Sequence, residues 1–218
     1  MNYLLYQLCG SKQSWSIPCQ GRVRHTYDHP SKSGLFGMIG ASLGIDFSEP
    51  EKLVELNNTV GYACREDVQG NLKSDYQIVG IKNKKKRETV PTERYFLSEA
   101  IFTICLWKNS QNGPTLESIE DALNYSCFSP YLGRKNFELN LPFAPKIVDE
   151  LDLKNAFSKY VVDEYGFFVS NRSKKCRVFW EGNDNSILKI RDAIMYDSLI
   201  AAPRVFSKRI EHEGRLVC

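Results

Sequence analysis

The sequence lacks the patterns that mark several familiar classes of protein. It contains three histidines, and its seven cysteines are scattered without a Cys-x-x-Cys pair, which argues against a zinc site or a disulfide framework. No apolar run approaches membrane-spanning length, and Met1 leads directly into a strand-like segment instead of a signal peptide. Neither a phosphate-binding loop nor a dinucleotide fingerprint is present. We therefore expect a cytoplasmic protein with reduced thiols, no cofactor and no membrane partner.

The distribution of charge is more informative than its total. The 218 residues carry a formal net charge of +3, which by itself does not indicate a nucleic-acid partner. Residues 46–57 are mainly acidic, whereas residues 82–94 are strongly basic. The cations of this basic stretch are Lys82, Lys84, Lys85, Lys86, Arg87 and Arg94. Such a separation predicts one basic face and one acidic face.

Residues 30–44 predict a helix with an unusual number of glycines. Ser31 and Ser33 are candidate N-caps, apolar residues follow at helical spacing, and Gly44 suits the position after the last turn. The glycines at positions 34, 37 and 40 each cost a helix about 1 kcal/mol relative to alanine. Two explanations remain open: tight packing against other parts of the fold, or the close approach of a polyphosphate chain to the helix start.

The order of predicted elements indicates an α+β fold. Strands are predicted around 3–9, 59–65, 76–81 and 100–107, and helices over the glycine-rich segment, 50–57 and 115–125. This order matches the ferredoxin-like (RRM/RAMP-type) βαββαβ pattern, interrupted by an insertion at about 80–99. We expect this domain to cover residues 1–145, with a β-rich C-terminal part over 146–218 packed on it.

Four segments carry a resemblance to a known family. They are residues 7–15 (QLCGSKQSW), 31–45 (SKSGLFGMIGASLGI), 93–103 (ERYFLSEAIFT) and 129–135 (SPYLGRK). In this order they resemble the CasD family of type I-E CRISPR Cascade, which is of the Cas5 kind. The second and fourth segments together are specific to this family, whereas either segment alone is weak evidence for it. The resemblance covers most of the first two thirds of the chain. Near the end of the chain, it is limited to residues 203–209.

The resemblance implies both a fold and a role. The fold is ferredoxin-like, and the insertion is a long β-hairpin, the thumb. The role is that of a non-catalytic structural subunit that binds and caps the 5′ handle of CRISPR RNA (crRNA). The implied protein partners are a CasC-type backbone subunit and a CasA-type large subunit, and target DNA is contacted indirectly through the complex in antiviral defence.

Three regions are expected to contact RNA by attracting phosphates and by stacking on bases. The first is the basic stretch with its six cations, at the thumb. The second is the polar loop before the helix together with the helix start: Gln13, Trp15, Arg22, Arg24, His25, Lys32, Ser33 and Gly34. The third is the loop with Tyr131, Arg134 and Lys135. Each region also has a competing interpretation. The basic stretch could be a solvated hairpin tip, and the serines at the helix start could be simple caps. Trp15 could belong to the core, and Tyr131 could be buried.

An endoribonuclease is the alternative function. Relatives in type I-C systems process precursor crRNA, and the resemblance implies a Lys–His pair and a Tyr for that reaction. Metal-free RNA cleavage needs a general base and a general acid, and His25 and His29 are the candidate pair, although no histidine lies in the basic stretch. A solitary RRM-like RNA-binding protein is a third possibility, but the strands lack the aromatic pattern of RRM sheets.

Overall fold

A computed structural model describes residues 1–18, 21–46, 48–82, 87–140, 142–160, 175–201 and 205–217. The elements in these ranges are β1 (Asn2–Cys9), β2 (Lys12–Gln13), β3 (Val23–Arg24), α1 (Lys32–Ser42), α2 (Pro50–Thr59), β4 (Val60–Val68), β5 (Asn71–Lys82), β6 (Arg87–Ser98), β7 (Ile101–Lys108), α3 (Leu116–Asn124), β8 (Lys146–Asp149), α4 (Leu153–Lys159), β9 (Lys175–Trp180), β10 (Leu188–Ala201) and β11 (Val205–Val217). The predicted α+β character is confirmed.

Seven strands form a large antiparallel sheet in the order β10-β11-β9-β4-β7-β1-β8. Helices α1 and α2 connect β1 to β4, and α3 lies between β7 and β8. Strand β8 begins just after the boundary expected at residue 145 and pairs with β1, while β9 pairs with β4. The C-terminal strands therefore extend the same sheet that the N-terminal strands begin.

Strands β5 and β6 form a long hairpin, the thumb, paired from Asn71↔Ser98 to Lys82↔Arg87. The thumb starts earlier than the insertion expected at about residue 80, because the segment 76–81 is its outgoing arm and not a strand of the main sheet. Local alternation identified a strand there but could not identify its partner. Lys84, Lys85 and Lys86 lie outside the described residues, and only the backbone is described for Lys82 and Arg87.

Apolar side chains cover both faces of the main sheet. Tyr6, Ile39 and Ile104 belong to a cluster beneath α1, α2 and α3. Leu5 and Trp180 belong to a second cluster on the other face, beneath α4. Alternation along each strand divides its side chains between these two clusters, as a sheet buried on both faces requires. The sheet is therefore the rigid base from which the thumb projects.

The glycines of α1 are explained in part by packing. A Cβ on Gly40 would lie 2.3 Å from Leu53 Cδ2, and a Cβ on Gly34 would lie 3.1 Å from the Trp15 ring. Gly37 has nothing within 4 Å of the corresponding position. Ser31 caps the helix as predicted, and Gly44 follows it with φ +77°. Tight internal packing thus accounts for two of the three helical glycines.

Two further features bear on the sequence-based expectations. Within the described ranges, no helix combines the length and the apolar character that crossing a membrane requires. The described cysteines Cys9, Cys64, Cys105, Cys127 and Cys176 are free thiols, and of these Cys127 is exposed.

Candidate nucleic-acid interface

The base of the thumb brings together residues from distant parts of the chain. Strand β6 pairs with β5 along its whole length and also with the short strands β2 and β3. Arg24 of β3 lies opposite Arg94 of β6, and Asp75 of β5 lies opposite Arg94 on the other side. Directly opposed residues of neighbouring strands present their side chains on the same face. Arg24, Arg94 and Asp75 therefore share one face of the thumb.

Arg134 completes this group from the loop after α3. Its Nη1 donates to Asp75 Oδ2 at 3.2 Å, its Nη2 donates to the Tyr95 carbonyl at 3.0 Å, and its guanidinium lies 4.8 Å from the Phe137 ring centre. Burial lowers the pKa of Arg134, Asp75 opposes this effect, and the charge of Arg94 adds to it. We call Arg24, Arg94 and Arg134 around Asp75 the arginine cluster.

The arginine cluster has an excess of positive charge. The cluster contains three guanidiniums, which stay protonated in proteins, and one carboxylate, which is paired with Arg134. The Nε atom of Arg94 is buried and has no hydrogen-bond partner within the described part of the chain. Guanidinium groups match the oxygens of a phosphate with paired donors. The cluster is therefore suited to an anion such as an RNA phosphate.

Aromatic rings lie on the opposite face of the thumb, since His25, Tyr95 and Tyr76 directly follow Arg24, Arg94 and Asp75 in the chain. The His25 ring stacks on the Tyr95 ring with centroids 5.0 Å apart and an angle of 21° between the planes. Tyr76 is 71% exposed on the thumb, and Tyr131 is 39% exposed in the loop that carries Arg134. Exposed rings beside cations are the usual surfaces on which single-stranded bases stack. Arg22 and Lys135 are also exposed near these segments.

The loop that carries Arg134 is held against β2 at a glycine. Gly133 has φ +87°, and a Cβ at this position would lie 1.8 Å from the Ser14 carbonyl oxygen. The Ser14 N–H donates to the Leu132 carbonyl at 3.0 Å, and the Leu132 side chain is fully buried. The position of Arg134 thus depends on a close backbone approach that only glycine permits.

Replacing Gly133 with alanine should lower the free energy of unfolding by about 2–4 kcal/mol, from left-handed backbone strain and from overpacking against Ser14. Gly182→Ala is the matched control, because Gly182 has φ +83° but nothing within 4 Å of a Cβ. Urea unfolding of both variants measures the difference. Equal losses of unfolding free energy in the two variants would show that the close approach to Ser14 does not restrict the side chain at position 133.

Two predicted contact residues are buried in the chain. Gln13 is fully buried, and its Nε2 donates to the Ala100 carbonyl at 2.7 Å. Trp15 is 1% exposed and packs against Gly34. Neither side chain presents a surface to a ligand in this fold, so both are better placed to support the loop than to contact RNA. The alternative of a core position for Trp15 is the one that the structure favours.

The start of α1 is already occupied by a carboxylate of the chain itself. The Lys32 N–H donates to Asp197 Oδ2 at 2.6 Å, and the Gly34 N–H donates to Ser31 Oγ at 3.4 Å. The Lys32 side chain is buried and bonds to Glu181 Oε1 at 2.7 Å. Asp197 therefore occupies the position where a phosphate was expected. Its negative charge interacts favourably with the helix dipole, so no external anion is needed there. Ser33 and Gly34 are partly buried beside it.

Asp197 belongs to a buried ion network that sequence reasoning missed. Arg209 makes a bidentate contact with Asp197, at 2.7 and 3.0 Å, and also bonds to Glu211 at 2.7 Å. His29 Nε2 lies 2.8 Å from the other oxygen of Glu211, and His29 Nδ1 lies 2.7 Å from Asp28 Oδ1. The network ties the loop before α1 to the β10–β11 hairpin. The alternating Arg209-x-Glu211 pattern on one strand face was its only local signal.

His29 is held as a cation. Burial would lower the pKa of His29, but its hydrogen bonds to Asp28 and Glu211 raise the pKa to about 9. The ring also stacks on Phe179, with centroids 3.8 Å apart. With both ring nitrogens bonded to carboxylates, His29 has no lone pair to accept a proton from a ribose. In the described ranges, no group of three or more His, Cys, Asp and Glu side chains is arranged to hold a metal ion.

The raised pKa of His29 predicts that its stabilising effect disappears in alkaline solution. The contribution is complete below the ordinary pKa of 6.5 and is lost as the pH rises through about 9. The difference in unfolding free energy between the wild type and His29→Gln should therefore fall by about 3 kcal/mol between pH 6 and pH 10. Urea titrations at the two pH values test this, and a difference that does not change with pH would contradict it.

Comparisons with known proteins bear on the identity of the chain. The model of the family described as CRISPR-associated protein (Cas_Cas5) matches residues 3–217. The chain is 30% identical over 173 residues to the CRISPR system Cascade subunit CasD of Escherichia coli (strain K12), across 73% of this chain and 77% of that protein.

Solved structures agree with this result at the level of the fold. A chain of a CRISPR RNA-guided surveillance complex superposes with a TM-score of 0.69 at 23% identity, covering 98% of this chain and 90% of that one. The crystal structure of a Cas protein superposes with a TM-score of 0.63 at 25% identity, covering 99% of this chain and 95% of that one. The resemblance noted in the four sequence segments is confirmed.

Proposed function

This chain belongs to the Cas5 family of CRISPR-associated proteins, and from that premise we propose that it is a structural subunit of a Cascade-type effector complex. In this proposal the chain is of the CasD type found in type I-E systems, and it binds and caps the 5′ handle of crRNA. The name of the E. coli relative, a Cascade subunit, supports membership of such a complex. In this proposal the complete complex contributes to antiviral defence by RNA-guided recognition of DNA.

The arginine cluster is the observation that carries the RNA-binding proposal. Three guanidiniums lie at the base of the thumb, and the His25–Tyr95 stack lies on the other face of the same segment. Cations give a salt-dependent attraction for phosphates, and exposed rings give a surface for bases. The predicted contact surface therefore consists of Arg22, Arg24, His25, Arg94, Tyr131, Arg134 and Lys135, extended by the other cations of the basic stretch, Lys82, Lys84, Lys85, Lys86 and Arg87. Gln13, Trp15 and Lys32 support this surface from within.

The topology supports a ferredoxin-like core for this surface. Strands β4, β7, β1 and β8 are neighbours in that order and antiparallel, with helices between β1 and β4 and between β7 and β8. That is the strand order of a βαββαβ unit, in which the helices cover one face. In this proposal the thumb is inserted between the second and third strands of the unit, at the edge where β4 ends.

The exposed apolar side chains of the thumb support a protein partner. Tyr76 and Ile78 lie on one face of β5 and are 71% and 66% exposed. A monomeric protein rarely leaves such a row uncovered, and apolar rows of this kind mark interaction sites. We assign this face to the adjacent CasC-type backbone subunit. A CasA-type large subunit is the second proposed partner, and target DNA is reached through the assembled complex.

A non-catalytic role is favoured over an endoribonuclease by the state of the histidines. His29 is a buried cation with both nitrogens engaged, so it cannot act as a general base near neutral pH. His25 is engaged through its ring with Tyr95. The pair on which the nuclease alternative depended is therefore divided between a buried ion network and a surface stack.

Incubation with an RNA that contains a CRISPR repeat tests the role directly. We expect the chain to retain the RNA in a gel-shift assay while denaturing gels show RNA of unchanged length, with and without EDTA. His25→Ala should weaken retention without affecting RNA length, because His25 is a stacking residue in this proposal. Site-specific cleavage that is lost in His25→Ala would establish the endoribonuclease instead. Failure to retain RNA would contradict the structural role.

A further inference from the structure

A cavity at the base of the thumb has not been used by the proposal above. It has a volume of about 440 Å³ and lies where β4 leads into β5. Its walls include Thr26, Asp28, Gln69, Asn71, Leu72 and Leu97. Pockets that hold small ligands or single bases fall in this range of size. The cavity lies beside the aromatic stack, because Thr26 directly follows His25 and Leu97 lies two residues from Tyr95 on the same strand face.

The walls of the cavity are apolar on one side and polar on the other. Leu72 and Leu97 are directly paired across the hairpin, and they form the apolar side. The side-chain amides of Gln69 and Asn71 are exposed and have no hydrogen-bond partner among the residues described. The backbone at Asn71 is held by Ser98 Oγ, which donates to the Asn71 carbonyl at 3.3 Å. A flat, weakly polar ring with an edge of donors and acceptors fits between such walls.

Asp28 decides the charge of the cavity. Its two oxygens bond to His29 and Arg177, at 2.7 and 2.8 Å, and each oxygen retains acceptor capacity. The hydrogen bond from His29 lowers the pKa of Asp28, so the carboxylate is ionised at neutral pH. An ionised carboxylate repels a phosphate but accepts hydrogen bonds from an exocyclic amino group. The cavity thus complements the arginine cluster, which is suited to the phosphate.

We propose that this cavity receives one extruded nucleobase of the bound RNA and favours an amino-bearing base over uracil. This inference rests on the proposed RNA-binding function and assigns a specificity site to it. Asp28 accepts a proton donor of the base, Gln69 and Asn71 bond to its remaining edge, and Leu72 and Leu97 pack against its faces. Uracil is disfavoured because its two carbonyl oxygens flank the single N–H and face the carboxylate.

Fluorescence anisotropy of the full chain with labelled octaribonucleotides of adenine, cytosine and uracil tests the site. The wild type should bind the adenine and cytosine oligomers about 5- to 10-fold more tightly than the uracil oligomer, which corresponds to about one good hydrogen-bonded contact. A combined Gln69→Ala/Asn71→Ala variant should weaken adenine and cytosine binding to near the uracil level. Asp28→Asn should reduce the preference, with circular dichroism used to verify its fold.

The matched control is Gln77→Ala/Asn124→Ala, which removes two exposed amides that do not line the cavity. It should leave the preference unchanged. Equal binding of the three oligomers by the wild type, or an unaltered preference in Gln69→Ala/Asn71→Ala, would overturn the cavity proposal while RNA binding itself persists. Absence of binding to every oligomer would overturn the cavity proposal together with the proposed function. Displacement of the adenine oligomer by micromolar AMP would assign the cavity to a free nucleotide instead.

Discussion

Replacing Arg209 with methionine should lower the free energy of unfolding by about 3–5 kcal/mol. Arg209 is buried between Asp197 and Glu211, which are 1% and 2% exposed, and its guanidinium lies 5.6 Å from the Tyr62 ring centre. Burial alone would lower the pKa of Arg209, but the two carboxylates raise it above its ordinary value. Methionine leaves both carboxylates buried without their main counterion, which is more costly than the loss of one attraction.

Arg191→Met is the matched control for this prediction. Arg191 bonds to Glu213 on the neighbouring strand, but its side chain is 64% exposed. Exposed pairs contribute about 0–1 kcal/mol, so this variant should be nearly as stable as the wild type. Denaturant unfolding of the two variants measures the contrast. Similar losses in both would mean that the buried network is not what joins the β10–β11 hairpin to the loop before α1.

A combined Arg24→Ala/Arg94→Ala variant should bind single-stranded RNA about 10- to 100-fold more weakly at low salt, because each lost phosphate contact is worth about 0.7–1.4 kcal/mol net of solvation. The slope of log K against log salt should also be smaller by about 1.4, since each phosphate contact on a single strand contributes about 0.7. Anisotropy titrations across a salt series measure both quantities.

The control for this pair must remove the same charge from another surface. Lys154→Ala/Lys208→Ala serves this purpose, because both lysines are exposed on α4 and β11 and belong to no predicted contact region. This variant should bind RNA nearly as the wild type does. An equal fall in affinity and slope for the two double variants would indicate a general effect of net charge, with no role for the arginine cluster.

Local patterns in the sequence were sufficient for much of the fold. The cap at Ser31 and the glycine stop at Gly44 bounded α1 correctly, and the apolar face of residues 115–125 located α3. These elements are specified by residues close together in the chain, so their start and stop signals can be identified directly.

Features that depend on distant partners were not accessible from local patterns. The carboxylate at the start of α1 comes from Asp197, which is 165 residues further along the chain. The segment 76–81 was correctly identified as a strand, but its partner is β6 rather than a strand of the main sheet. Helix α4 has only seven residues, which is too short for a clear helical period. Strand β10 continues to Ala201 through several irregularities of register, which hide its alternation.

The candidate site was predicted in part. Arg24, Arg94 and Arg134 were selected from the sequence, and the structure brings Arg94 and Arg134 together around Asp75, with Arg24 beside Arg94. The role of Asp75 in placing Arg134 could not be deduced, because strand pairing and loop position determine it. Lys32 was selected for its position at the helix start, but the ion pair with Glu181 buries it. Charge alone does not distinguish an exposed cation from one paired inside the fold.

Photocrosslinking of bound crRNA, followed by mass spectrometry of the crosslinked peptides, tests the central claim most directly. If the base of the thumb grips the RNA, crosslinks should concentrate in residues 22–25, 73–76, 92–95 and 131–135, and Arg24→Ala/Arg94→Ala should reduce them. Crosslinks confined to the β10–β11 hairpin, residues 188–217, would contradict the account.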